Sequence, residues 1–334
     1  MQNEQLSLTQ EWDKTFPQSD AVSHEKVTFT NLYGITLAAD LYRPRAAAPD
    51  ARLAAIAVCG PFGAVKEQAS GLYAQHLAEA GYLTIAFDPS FTGESGGAAR
   101  FNASPDLNTE DFMAAVDYLS NRPDVDPERV GIVGICGWGG IALNAAAADP
   151  RIKVTLVSTM YDMTRISGNG YFDADDSADK RNAARRAMAA VRTEEYASGQ
   201  HRRAGGCLDY PAPTDTPLFV QQYSAYYKTP RGYHARSLNS NEGWNVTGTL
   251  AYANARFLHY TNEIENAVLV IHGEKAHSRY MGEDAFAHMM DGNPQPENKE
   301  LYIVPGATHC DLYDGGEGNF IPWEKIEGFF GRYL

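Results

Sequence analysis

The chain has 334 residues, 44% of them hydrophobic and 21% charged, with 30 Gly, 17 Pro and 4 Cys; these proportions exclude a disordered, collagenous or disulfide-stapled protein. Against 28 basic side chains stand 42 acidic ones, a net charge of −14 with no basic block, so nucleic acid and anionic membranes are not expected partners. The N-terminal stretch has no charged-then-apolar signal pattern, and no run approaches the ~18 apolar residues of a membrane span, so a cytoplasmic protein is expected.

After a polar leader of about 22 residues, the segment from His24 to Arg43 alternates apolar and polar positions around Gly34, as a β-hairpin does. Leu53 to Cys59 is an uninterrupted apolar run that suits a parallel strand covered on both faces, and it ends in the loop Gly60-Pro61-Phe62-Gly63. A helical stripe over Ser70 to Ala80, closed by Gly81, leads to a strand from Tyr82 to Phe87 that ends at Asp88. Phe112, Ala115, Val116 and Leu119 mark the next helix, Val130 to Ile135 the next strand, and an Ala-rich helix follows from Gly137 to Ala148. Further strands are expected at Lys153 to Ser158, Ala267 to His272 and Glu300 to Val304, and a last helix within Pro322 to Tyr333. Strands alternating with helices predict a parallel sheet with helices on both faces.

Residues 162–264 break this rhythm. They are expected to form an inserted helical cap on a core made of 1–161 and 265–334. Ten of the 19 tyrosines fall between Tyr161 and Tyr260, which suits a wall around a partly apolar small molecule, because a phenol gives apolar area with a polar tip. A helix from Ser177 to Tyr196 carries Ala184, Ala187, Met188 and Val191 on one face, with Arg181, Arg185, Arg186 and Arg192 read as its solvated side.

The chemistry concentrates at Val130 to Gly140, VGIVGICGWGG: a buried strand, a sharp turn bearing a nucleophilic side chain, then a helix. This resembles a nucleophile elbow, with Cys136 as nucleophile between Gly134 and Gly137. Trp138 stands where such turns usually place Gly. A thiol at a helix N-terminus has its thiolate favoured by the dipole, and an adjacent imidazole would favour it further. Cys59, Cys207 and Cys310 read as structural, and the spacing of Cys and His suits no zinc site; no metal or cofactor is expected. The base is expected at His309, in the loop after the last strand. The oxyanion donors are expected to be the N–H groups of Gly137 and Phe62, since Pro61 has none. Asp88 reads as a loop-ordering residue.

The acid is open. Where the pattern H-G-x-x-D is usual, this chain has His272-Gly273-Glu274-Lys275-Ala276. Glu274 and Asp162 are alternatives, and an acid-free Cys–His dyad is the third, since a thiolate needs less help than an alkoxide.

The segments GICGWGG, GPFGAVKEQ, HGEKAHS and PGATH together resemble α/β-hydrolases of the dienelactone-hydrolase-like group, in particular bacterial hydrolases and fungal polyketide transferases whose R-G-Y-H and N-S-N-x-G-W stretches resemble Arg231 to His234 and Asn239 to Trp244. The resemblance implies the α/β-hydrolase fold, a nucleophile at Cys136, a base at His309, and action on an ester, thioester or lactone. Two positions depart from dienelactone hydrolases proper: Gly60 replaces a Glu and Ala276 replaces the acid. The expected partner is a small-molecule acyl compound, and a homo-oligomer is compatible with the sequence. Hydrolysis through an acyl-enzyme is the first reading; transfer to an alcohol or amine, and small-molecule binding without turnover, are the rivals.

Overall fold

The turn after the first strand is built by Asn31, whose side-chain oxygen accepts from the Tyr33 and Ile35 N–H groups, and by Gly34 at φ +78°. It joins Val22–Thr30 (β1) to Thr36–Pro44 (β2) as an antiparallel pair in unbroken register. The computed structural model describes residues 4–334; the start of the predicted leader, residues 1–3, lies outside the described part. The rest of the leader is a strap. Phe16 is buried, the Thr15 N–H donates to the Glu67 carbonyl, and Lys14 pairs with Asp40.

Leu53–Cys59 (β3) shows why a continuous apolar run suits this place: Ala55, Ala57 and Cys59 enter the core on one face of the sheet, Ile56 and Val58 the core on the other. Ala69–Glu79 (α1) follows, and Gly81 at φ +109° turns the chain into Leu83–Phe87 (β4). Pro105–Ser120 (α2) begins with Pro at its first position and Asp106 in its first turn, both favourable at a helix start. Val125–Ile135 (β5), Gly137–Ala148 (α3) and Ile152–Ser158 (β6) complete the central units.

Residues 162–264 hold Met163–Asn169 (α4), Ala178–Ser198 (α5), a ribbon of Arg203–Gly205 (β7) with Gly243–Asn245 (β8), and Leu218–Tyr227 (α6). None of these strands joins the main sheet. Ser177 caps α5 by accepting from the Lys180 N–H, and Gly199 ends it in the left-handed conformation. The apolar stripe predicted on α5 is not a packed face: Ala184 and Ala187 are exposed, and Met188 and Val191 only half-buried. The buried side chain is Glu195, held by Thr247, His201 and the Arg202 N–H, so polar contacts at its C-terminal end anchor the helix.

Ala267–Gly273 (β9), Arg279–Met290 (α7), Lys299–Val304 (β10), Asp311–Asp314 (α8) and Trp323–Tyr333 (α9) finish the chain. The eight-stranded sheet runs β1-β2-β4-β3-β5-β6-β9-β10, antiparallel at β1/β2 and β2/β4 and parallel elsewhere. Helices α2 and α3 cover one face through Phe112, Leu119 and Ile141; α1 and α9 cover the other through Leu77, Ile326 and Phe330. Each such buried side chain contributes ~1.5–3 kcal/mol of apolar burial. Among the described residues no helix is long and apolar enough to cross a membrane.

Candidate active site

Cys136 sits between β5 and α3 at φ +58°, ψ −126°, a strained conformation for a side chain. The turn closes because Gly134 has no Cβ, which would collide with the Trp138 carbonyl, and Gly139 lets Met160 approach its backbone. Trp138 is accommodated because its ring leaves the turn for the core, edge-on to Phe87 and Phe112 at centroid distances of 5.8 and 5.2 Å. The close approach usually assigned to that position falls to Gly139 instead.

Four groups favour the Cys136 thiolate: the hydroxyl of Tyr313, the N–H groups of Gly137 and Phe62, and the hydroxyl of Tyr223. The two N–H groups expected as oxyanion donors are therefore both directed toward Cys136. The Phe62 loop is fixed from outside, with the Phe62 carbonyl accepting from Asn239 Nδ2 at 2.9 Å and the Gly63 carbonyl from Ser237 Oγ at 3.0 Å. The Phe62 ring stacks on Trp244, centroids 4.5 Å apart. Burial pushes the Cys136 thiol up to about 11, although the four donors oppose it. The expected thiolate is thus not the resting form: desolvation outweighs the helix end, and the site rests as a thiol.

His309 is fully buried. Its Nδ1 lies 2.8 Å from Thr159 Oγ1 and 2.8 Å from Ser278 Oγ, and its Nε2 lies 2.9 Å from the Tyr313 hydroxyl. Burial first, then the nearby His277 and His272 rings, hold the imidazole well below its ordinary range, so it rests neutral. Neither proposed acid is among its partners. Glu274 is exposed and accepts from the Gly306 N–H at 2.8 Å, while Asp162 caps α4 by accepting from the Thr164 and Arg165 N–H groups. Both carboxylates are corrected to structural roles. Asp162 turns into a helix start, and Glu274 points away at the surface. The two strand ends searched for an acid, after β6 and after β9, each supply a hydroxyl instead, Thr159 and Ser278.

A second imidazole stands nearby. His277 Nε2 is hydrogen-bonded to the Tyr161 hydroxyl, which lies 2.9 Å from the Tyr223 hydroxyl. The cavity above Cys136 has a volume of about 290 Å³, and its walls include Phe62, Tyr161, Tyr171, Tyr223, Trp244 and Tyr313; among the described residues no charged side chain lines it. Cys207, read from sequence as structural, is in this wall, whereas Cys59 and Cys310 are buried in the core. A wider open cleft of about 990 Å³, lined by Arg100, Arg203, Lys228 and Arg236, does not include Cys136.

Beneath the oxyanion loop lies a buried ion cluster. Lys66 Nζ is 2.7 Å from each of Glu67, Asp88 and Glu94, so an ammonium occupies the centre of three carboxylates that could otherwise hold a metal. Lys26 bridges Asp40, Glu67 and Glu94, and Arg236 from the 162–264 segment reaches Asp13 and Glu67. Asp88 also accepts from the Lys66 and Glu94 N–H groups, the loop-ordering part read from its place at the strand end.

The sequence reading did not find Tyr313, Tyr223, Thr159, Ser278 or Lys66. Only Tyr313 had a local signal, standing one helical turn after His309.

A mixed sheet of this order with a nucleophile elbow after β5 defines an α/β-hydrolase. The chain belongs to the X-Pro dipeptidyl-peptidase (S15) family, whose model matches residues 33–307. It is 52% identical to the uncharacterized protein PA2218 of Pseudomonas aeruginosa, over 99% of this chain and 86% of that protein; a crystal structure of PA2218 superposes with a TM-score of 0.92, covering 99% and 100% of the two chains. It is 32% identical to the uncharacterized protein YcjY of Escherichia coli, over 87% of this chain and 93% of that one. The polyketide transferase claH of Penicillium crustosum is 31% identical over 40% of this chain and 43% of its own. These matches agree with the expected α/β-hydrolase superfamily and with the resemblance to fungal polyketide transferases.

Proposed function

We propose that the protein is a cysteine-dependent acyl-transfer enzyme that takes the acyl group of an ester, thioester or lactone onto Cys136 and releases it to water. One observation carries this reading: the Cys136 sulfur, at a strained elbow, faces the Gly137 and Phe62 N–H groups, with His309 one hydroxyl away. Those two N–H groups hold the oxyanion as the sulfur attacks, and His309 takes and returns the proton. No acid assists, and the Thr159 and Ser278 hydroxyls orient the imidazole. Among the described residues the cavity carries no carboxylate to receive a peptide's N-terminal ammonium, and a thiol ester is more readily formed from activated acyl groups than from amides, so X-Pro peptide cleavage is not the reading. Residues 162–264 act as the lid that selects the acyl chain, since Tyr171, Tyr223, Trp244 and Tyr252 in the cavity wall come from it.

Transfer to an alcohol is the second reading, favoured by the aromatic cavity wall and by the similarity to a polyketide transferase. Mass spectrometry of the intact protein after brief exposure to p-nitrophenyl acetate and butyrate tests the main proposal. An acyl adduct on Cys136, with nitrophenolate release lost in Cys136→Ala and His309→Ala, is expected. Release that persists in Cys136→Ala overturns it, and ligand binding without any turnover favours a binding protein.

A further inference from the structure

We infer that Tyr313 is a catalytic residue, the hydroxyl through which the Cys136 thiol and the His309 imidazole exchange their proton. This rests on the acyl-enzyme reading above. In most thiol–imidazole pairs the two groups touch. Here Tyr313 links them: it shares the cavity wall with Cys136, its hydroxyl is one of the donors that favour the Cys136 thiolate, and that hydroxyl lies 2.9 Å from His309 Nε2. His309 has no exposed surface and is absent from the cavity wall, whereas Tyr313 and Cys136 are both in that wall. The other ring nitrogen, Nδ1, is taken by Thr159 and Ser278. Nε2 therefore reaches the reacting atoms by way of the phenol.

The step balances without any further reagent. As the sulfur electron pair forms the S–C bond to the substrate carbonyl carbon, the S–H proton passes to the Tyr313 oxygen, and the proton of Tyr313 passes to His309 Nε2. The carbonyl π pair moves to the oxygen held by the Gly137 and Phe62 N–H groups. When the intermediate collapses, the carbonyl π bond re-forms, the leaving group departs with its bonding pair and takes the Tyr313 proton, and the His309 Nε2 proton returns to the Tyr313 oxygen, leaving acyl-Cys136, neutral Tyr313 and neutral His309. Burial raises the Tyr313 phenol well above its ordinary value, so a free phenolate does not accumulate and the two transfers are concerted.

Tyr223 is the internal comparison. It shares the cavity wall and its hydroxyl also favours the Cys136 thiolate, but it leads through Tyr161 to His277 instead of to His309. The experiment follows the nitrophenolate burst from p-nitrophenyl acetate in mixtures of light and heavy water, for the wild-type chain, Tyr313→Phe and Tyr223→Phe. In the wild type the burst rate is expected to fall along a bowed curve, the mark of two protons in flight. Tyr313→Phe is expected to slow the burst about 100-fold and to straighten the curve, while Tyr223→Phe keeps the bow. A straight wild-type curve overturns the relay, whether or not the variants fold. So does a Tyr313→Phe protein with wild-type melting temperature and an unchanged or faster burst, or a bow lost in Tyr223→Phe and kept in Tyr313→Phe. The two proposals fail separately: without a wild-type adduct on Cys136 the acyl-enzyme falls, whereas an adduct formed equally fast in Tyr313→Phe removes only the relay.

Discussion

Thr159 Oγ1 lies 2.8 Å from His309 Nδ1, and Thr159 holds that position at φ +47°, in a conformation that β-branched residues rarely adopt. Such a residue costs about 1–3 kcal/mol of backbone strain, and the strain places the hydroxyl where the orienting group for the imidazole is needed. Thr159→Gly is expected to lower acylation by about tenfold through loss of a hydrogen bond, while its melting temperature stays level or rises as the strain is relieved. Ser278→Ala is expected to show a similar loss of acylation without that stabilisation. Burst kinetics beside thermal melts check both; loss of stability in Thr159→Gly would refute the strain account.

Glu274→Gln and Asp162→Asn are expected to change kcat/KM by less than about fivefold, because neither carboxylate is a partner of His309 and a hydrogen bond is worth about 1 kcal/mol. Asp162→Ala is expected to destabilise the protein by about 1 kcal/mol through the lost cap of α4. Steady-state kinetics and denaturant melts decide it: a hundredfold fall in turnover for either isosteric variant would restore that residue as the acid.

The thiol of Cys136, pushed up to about 11 by burial against its four donors, should react with iodoacetamide at a rate that still climbs about tenfold per pH unit between pH 7 and 10, since only the thiolate attacks. Mass spectrometry of the Cys136 peptide in timed quenches follows this. A rate that levels off below pH 8 would mean a preformed thiolate–imidazolium pair.

Lys66→Met should destabilise the fold by about 3–5 kcal/mol, the usual result of removing one partner from a buried ion group, and should loosen the Phe62 loop above it. Burial works against the charges of Asp40 and Glu94. Even so, His24, Lys66 and Lys14 around Asp40, and Lys66 and Lys26 around Glu94, hold both carboxyls down at about 2. A carboxyl lowered in the folded state adds stability above its unfolded value near 4 that is lost as the pH falls through its folded one. Melting temperature should therefore decline between about pH 4 and pH 2, and a flat profile there would contradict the charge assignment.

Local signals carried the fold and the turn after β5: apolar runs and stripes marked β3, β4, α3 and β9 within a residue or two, and Gly134, Cys136 and Gly137 announced the turn because close strand–helix approach tolerates only small residues. The loop after the last strand carries His309, as its position in the chain suggested. What surrounds that imidazole was decided by tertiary structure alone. Its two Nδ1 partners are 150 and 31 residues away in the chain, and Thr and Ser hydroxyls at strand ends have no periodicity that separates them from ordinary loop residues. The carboxylates that looked available by spacing were taken up by a helix cap and a surface turn. Sequence determined which elements form and where the thiol stands. Packing of distant strand ends decided which hydroxyls meet it, because a hydrogen bond depends on a few tenths of an ångström that no pattern of residue types encodes.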